Sequence, residues 1–133
     1  MHPRRLAVQS TPACHDDAAP SRRSMEETRI LATRYAMLPE DILLLGPTGS
    51  GKGHLARYIH DASRCSGQFL SIAGGQLSES LWESQLFGHL AGAYTDAKSR
   101  VRGAFEQAAG GTLFLDEMHH WSPSVQCGLL YPL

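Results

Sequence analysis

The chain has 133 residues, 42% of them hydrophobic, and a formal net charge of −1, enough for one modest domain with a small core and without the basic balance of a nucleic-acid binder. Its three cysteines, Cys14, Cys65 and Cys127, are odd in number and far apart with no CxxC pair, which excludes a disulfide framework and suits a reducing cytoplasm. No apolar stretch is long enough for a signal peptide or a membrane span, so export and membrane insertion are not expected.

Residues 1–24 are rich in Pro, Ala, Ser and Arg and hold no lasting hydrophobic period, the composition of a disordered leader. Arg4, Arg5, Arg22 and Arg23 make that leader locally basic, in the manner of a solvated tail. Order is expected from Met25, with one domain over 25–133. Ile30, Leu31, Arg34 and Leu38 fit a helical stripe that ends at Pro39.

The apolar run Ile42-Leu43-Leu44-Leu45 predicts a buried strand. Gly46-Pro47-Thr48-Gly49-Ser50-Gly51-Lys52 then reads as a Gly-rich turn, and Leu55, Ala56 and Ile59 as the apolar face of a helix. Glycines at 46, 49 and 51 let successive N–H groups face an anion, the helix N-terminus adds its dipole, and Lys52 stands where a P-loop lysine reaches phosphate oxygens. A chance Gly-rich β-turn is the bland alternative. The eighth position, where a Ser or Thr hydroxyl would ligate Mg²⁺, is Gly53.

Further along, Gln68–Ile72 alternates as a strand, and Glu79–Phe87 reads as a short helix opened by Ser78 or Ser80. "GHLAGAYTDAKSRVRG" is small, polar and glycine-bounded, an exposed loop. Gly103–Ala109 reads as a helix ended by Gly110-Gly111, and Thr112–Leu115 as a third buried strand closing on Asp116-Glu117. Helices between apolar strands imply an α/β fold with a parallel sheet, whose ligands lie beyond the carboxyl ends of the strands. In that position Asp116 suits Mg²⁺ on nucleotide phosphates and Glu117 an attacking water, the alternative being an ordinary acidic strand end. The neighbouring His119 and His120 read as loop histidines, and Trp82 and Trp121 as core.

Three stretches carry a family resemblance. "ESQLFGHLAGAYTDA" (83–97) resembles the signature "ESELFGHEKGAFTGA" of the AAA+ ATPase domain in bacterial sigma-54-dependent transcription activators, the enhancer-binding proteins. "GPTGSGKGHLARYIHDAS" (46–63) is similar to their "GESGTGKE…A..IH..S", and "GAFEQAAGGTLFLDEM" (103–118) to their "G.FE.A.GGTLFLDEI". The likeness runs in unbroken order from about Met25 to the last residue, where "VQCGLLYPL" is similar to "vQ.kLLRvLQ".

This resemblance implies a three-layer α/β/α P-loop NTPase that binds ATP and Mg²⁺ between subunits of a homo- or hetero-oligomeric ring in the cytoplasm and remodels sigma-54 RNA polymerase holoenzyme. By the same resemblance Gly46, Pro47, Thr48, Gly49, Ser50, Gly51, Lys52 and Gly53 cradle phosphates, Asp116 holds Mg²⁺ and Glu117 activates water. Gly92, Ala93, Tyr94, Thr95, Asp96 and Ala97 form the loop that contacts sigma-54. Three departures from the pattern bear on activity: Gly53 replaces Glu, Ala73 replaces the Asn that partners the catalytic Glu, and Asp96 replaces a glycine. A complete domain of this kind is roughly twice as long as the matched segment. The chain is therefore read as its N-terminal part, without the lid, later strands, arginine finger or DNA-binding domain, and with little or no turnover. The alternatives are an inactive truncated subunit that poisons rings of an intact activator, or a P-loop ATPase of another kind, such as a small kinase or a clamp-loader relative.

Overall fold

In the computed structural model, which describes residues 3–10, 22–76, 81–89 and 100–129, eleven strands and helices follow one another. They are β1 (Arg4–Ser10), α1 (Arg22–Ala36), β2 (Ile42–Gly46), α2 (Lys52–Ser63), β3 (Phe69–Ala73), α3 (Trp82–Phe87), β4 (Gly88–His89), β5 (Val101–Arg102), α4 (Ala104–Gln107), β6 (Thr112–Asp116) and α5 (Pro123–Gly128). Short 3-10 turns occupy Gly74–Gln76 and Met118–His120. Four strands form one wholly parallel sheet in the order β2-β1-β6-β3.

Helices cover both faces of that sheet, as parallel strands require. On one face Ala32 and Ala36 of α1 and Ala56 and Ile59 of α2 bury Leu6, Leu44 and Phe114. On the other, Leu86, Ala104, Ala108, Val125 and Leu129 close with Trp121 over Leu113 and Leu115. Because side chains alternate along a strand, β6 serves both cores at once, and its apolar run is therefore unbroken.

The structure departs from the sequence reading at four places. The stretch expected as a disordered leader contains a strand: Leu6 of β1 is 0% exposed and aligns with Ile42 on one side and Phe114 on the other. Arg4 and Arg5 are not a solvated tail. The Arg4 guanidinium donates to the carbonyls of Ala36 and Leu38, and Arg5 pairs with Asp41 at 2.9 Å. Helix α1 buries alanines, while Ile30, Leu31 and Leu38 of the expected stripe are exposed; small side chains let the helix lie close to the sheet. Helix α3 begins at Trp82 behind Leu81 with no side-chain cap, and Ser78 and Ser80 lie outside the described residues. Finally, the flanks of the expected loop pair as the antiparallel ladder β4-β5.

Candidate functional site

Strand β2 ends at Gly46 and α2 begins at Lys52, and the turn between them needs glycine at two points. Gly49 has φ 78° and Gly51 φ 85°, left-handed conformations that cost L side chains energy. A Cβ at Gly46 would stand 3.1 Å from Ser50 Oγ, so the strand end also fits tightly under the turn. The turn closes through Ser50 N donating to Pro47 O at 3.2 Å, and Gly51 serves as N-cap without a side-chain bond. The first N–H groups of any helix lack intrahelical acceptors, so α2 points donors and the positive end of its dipole at the concavity. Lys52 Nζ donates to Gly46 O at 3.0 Å and Pro47 O at 2.7 Å. This places the only ammonium of the turn inside it, where an anion would meet positive charge and peptide N–H groups together.

The acidic pair stands at the same carboxyl edge of the sheet. Asp116 is the last residue of β6, and its Oδ1 accepts from the Glu117 N–H at 2.9 Å. Glu117 then turns the chain through φ 53°, ψ 43°, a left-handed conformation rare for a non-glycine residue and held by the surrounding packing. Strand β1 separates β2 from β6, so the two halves of the site stand two strand spacings apart, roughly 10 Å. Ser10, at the end of β1, is level with Gly46 in the ladder, a placement with no local signal in the sequence.

Ala73 lies opposite Asp116 in the β3-β6 register, so a methyl group stands beside the acidic pair. Gly74 follows, and a Cβ there would approach Trp121 Cδ1 to 2.7 Å and Glu117 O to 2.8 Å. Trp121 thus fills the space under the acidic turn that a side chain at position 74 would need. Its indole Nε1 is buried with no hydrogen-bond partner among the described residues. Among those residues no three His, Cys, Asp or Glu converge. A single carboxylate suits Mg²⁺, which keeps several waters and takes phosphate oxygens, better than a metal that needs an all-protein cage. A pocket of about 360 Å³ between α1, β2 and α2 is lined mainly by Leu31, Tyr35, Ile42, Leu44 and Leu55; its apolar walls suit a ring or alkyl group rather than phosphate. His120 is exposed, Trp121 is buried and Trp82 half-buried.

The chain matches the sigma-54 interaction domain across residues 19–133. It belongs to that family. It is 45% identical over 127 residues to the C4-dicarboxylate transport transcriptional regulatory protein DctD of Pseudomonas aeruginosa, covering 95% of this chain and 28% of that protein. It is 44% identical over 108 residues to the transcriptional regulatory protein FlbD of Caulobacter vibrioides, covering 80% and 24%. A Nif-specific regulatory protein of Herbaspirillum seropedicae is 44% identical over 109 residues, covering 81% and 20%. The chain spans about a quarter of the length of these curated relatives.

In this sigma-54 interaction domain the segment Gly92–Ala97 lies outside the described residues, but the neck from which it leaves is in place. Gly88 pairs with Arg102 and His89 with Val101. Gly88 and Gly103 pass so close that a Cβ on either would strike the other's backbone. Ser84 Oγ lies 2.6 Å from His89 Nδ1, and Glu106 of α4 holds Arg100 at 2.7 Å and Arg102 at 3.4 Å. The neck is therefore fixed to α3 on one side and to α4 on the other. Among the described residues no helix is long and apolar enough to cross a membrane.

Proposed function

We propose that this chain is the nucleotide-binding part of a sigma-54 interaction domain, which binds ATP with Mg²⁺ and serves transcription in the cytoplasm by remodelling sigma-54 RNA polymerase holoenzyme. The observation that carries the reading is the placement of the Gly46–Lys52 turn and the Asp116-Glu117 pair at one carboxyl edge of one parallel sheet, where α/β folds take their ligands. The backbone of Gly46 to Gly53, including Pro47, Thr48 and Ser50, surrounds the phosphates, and Lys52 exchanges its two carbonyl acceptors for phosphate oxygens. Asp116 would hold Mg²⁺, which would supply positive charge to offset that of the phosphates. Glu117 accepts a hydrogen bond from water. Residues 92–97, which lie between β4 and β5 in the sequence, are the segment that sigma-54 meets, and the working form is a ring of such domains.

Titration with a fluorescent ATP analogue tests this reading. Charge-assisted hydrogen bonds are worth about 1.5–3 kcal/mol, so Lys52→Ala weakens binding about ten- to hundred-fold. Asp116→Asn removes the gain in affinity that Mg²⁺ confers. A wild-type chain that does not bind, or a Lys52→Ala chain that binds equally well, would overturn the proposal.

A second reading is favoured by Ala73 beside Asp116: a subunit that binds ATP without turning it over and joins rings of an intact activator. A methyl group cannot supply the hydrogen bond that an amide gives a carboxylate. Mixing tests it. The intact activator's ATPase rate falls as this chain is added and is restored by dilution; a chain that stays monomeric beside such a partner excludes it.

A further inference from the structure

At the amino edge of the sheet, opposite the phosphate turn, four polar side chains converge. Cys65 Sγ lies 3.2 Å from His60 Nδ1, and the same nitrogen lies 2.9 Å from Thr112 Oγ1. Ser63 Oγ stands 3.1 Å from Sγ and 2.6 Å from His60 O, so its single hydrogen serves one of them at a time. Between Ser63 and Cys65 the chain turns through Arg64 in a left-handed conformation, φ 53°, which returns the sulfur toward α2. The imidazole is held edge-on against Phe69, 5.5 Å between ring centres. Cys65 is half-buried, and its thiol is free.

We infer that Cys65 is a modification site, a thiol activated by His60 that takes small peroxides. A nucleophile within hydrogen-bond reach of a base, with a third group orienting that base, is the arrangement that makes a weak nucleophile reactive. Burial lowers the His60 pKa from its ordinary 6.5 and so favours the neutral ring, with Asp61 and Arg57 the charged groups facing it; in the Nε2–H tautomer Nδ1 has a lone pair for the thiol proton. Once it holds that proton, Nδ1–H can donate to both Sγ and Thr112 Oγ1, and Ser63 Oγ–H can donate to the sulfur. Each of these bonds would stabilise the negative charge that develops on sulfur as the proton leaves.

The reaction balances without a further reagent. His60 Nδ1 takes the thiol proton, the sulfur attacks one peroxide oxygen, and an S–O bond forms as the O–O bond breaks. The departing hydroxide takes the proton from Nδ1 and leaves as water. Sulfur loses two electrons and becomes a sulfenic acid, the first and reversible step of thiol oxidation, while the peroxide is reduced.

Cys127 supplies an internal reference, since it is exposed on α5 and its thiol makes no hydrogen bond among the described residues. The test treats the full chain with iodoacetamide at neutral pH and follows each cysteine by peptide mass spectrometry. Cys65 reacts roughly tenfold faster than Cys127 despite its lower exposure, because the neighbouring base outweighs access. With hydrogen peroxide and dimedone, the sulfenic adduct appears on Cys65 and not on Cys127. His60→Gln, which keeps a polar side chain without a base, brings the Cys65 rate down to that of Cys127. Ser63→Ala lowers it less and leaves the ring in place, so it decides the matter if circular dichroism shows His60→Gln to be unfolded. Cys65 reacting no faster than Cys127, or a rate unchanged in the folded variants, would overturn the inference.

Discussion

The residue-scale constraint nearest the acidic pair is Gly74, which lets Trp121 pack beneath the acidic turn. In Gly74→Ala the new methyl group meets the indole edge and the Glu117 carbonyl, and forced overpacking costs about 1–3 kcal/mol. Gly75→Ala, one position on, finds open space and stays within about 0.5 kcal/mol of wild type. Urea denaturation of the two variants separates these outcomes. His60 sets a pH dependence whose sign is fixed. Burial lowers it from its ordinary value of 6.5, Asp61 opposing and Arg57 assisting, so the unfolded chain binds the proton more readily than the folded one. The stability of the neutral ring is whole above pH 6.5 and is lost as the pH falls from there through the folded value. The urea midpoint therefore drops more in wild type than in His60→Gln between about pH 7.5 and about pH 5.5. The spacing from Gly46 to Lys52 and the acidic end of "TLFLD" were legible because each is a local pattern bounded by an apolar run. The pairing of Gly74 with Trp121 joins residues far apart in sequence, and no local signal announces it.

At the scale of elements, legibility followed the length of the apolar run. Strands β2 and β6 carry several apolar residues each and are bounded by glycine or acid, while β1 offers only Leu6-Ala7-Val8 behind two arginines, too short for a period. Its strand character comes from its neighbours. Strands β2 and β6 both present ladder groups to it, and unpaired backbone in a sheet interior is costly. The two-residue strands of the β4-β5 neck are likewise too short to show alternation and are set by the close passage of Gly88 and Gly103. Leu6→Ala discriminates between a leader and a central strand. With Leu6 fully buried, the loss is about 2–5 kcal/mol, read as a fall in urea midpoint; a leader would register no change.

For the whole molecule, order β2-β1-β6-β3 leaves β2 at an edge, with no strand beyond it among the described residues. Leu44 faces the α1-α2 core, whereas Leu43 and Leu45 turn to the other face and are 55% and 60% exposed, because α3, α4 and α5 pack over β6 instead. An apolar edge strand with open backbone groups is a template for pairing with other chains. The strand that supports the Gly-rich turn thus also presents an open edge, and the nucleotide affinity proposed for that turn has to be read together with the concentration of the chain. Leu43→Lys with Leu45→Lys places charge on that face without touching the Leu44 side. Sedimentation velocity should show wild type associating as concentration rises and the double variant remaining a monomer. Retained ATP-analogue binding in the variant would separate edge association from the site itself. If both chains sediment alike at every concentration, the exposed face of β2 does not drive association, and the open edge is protected by its own twist or by its short length.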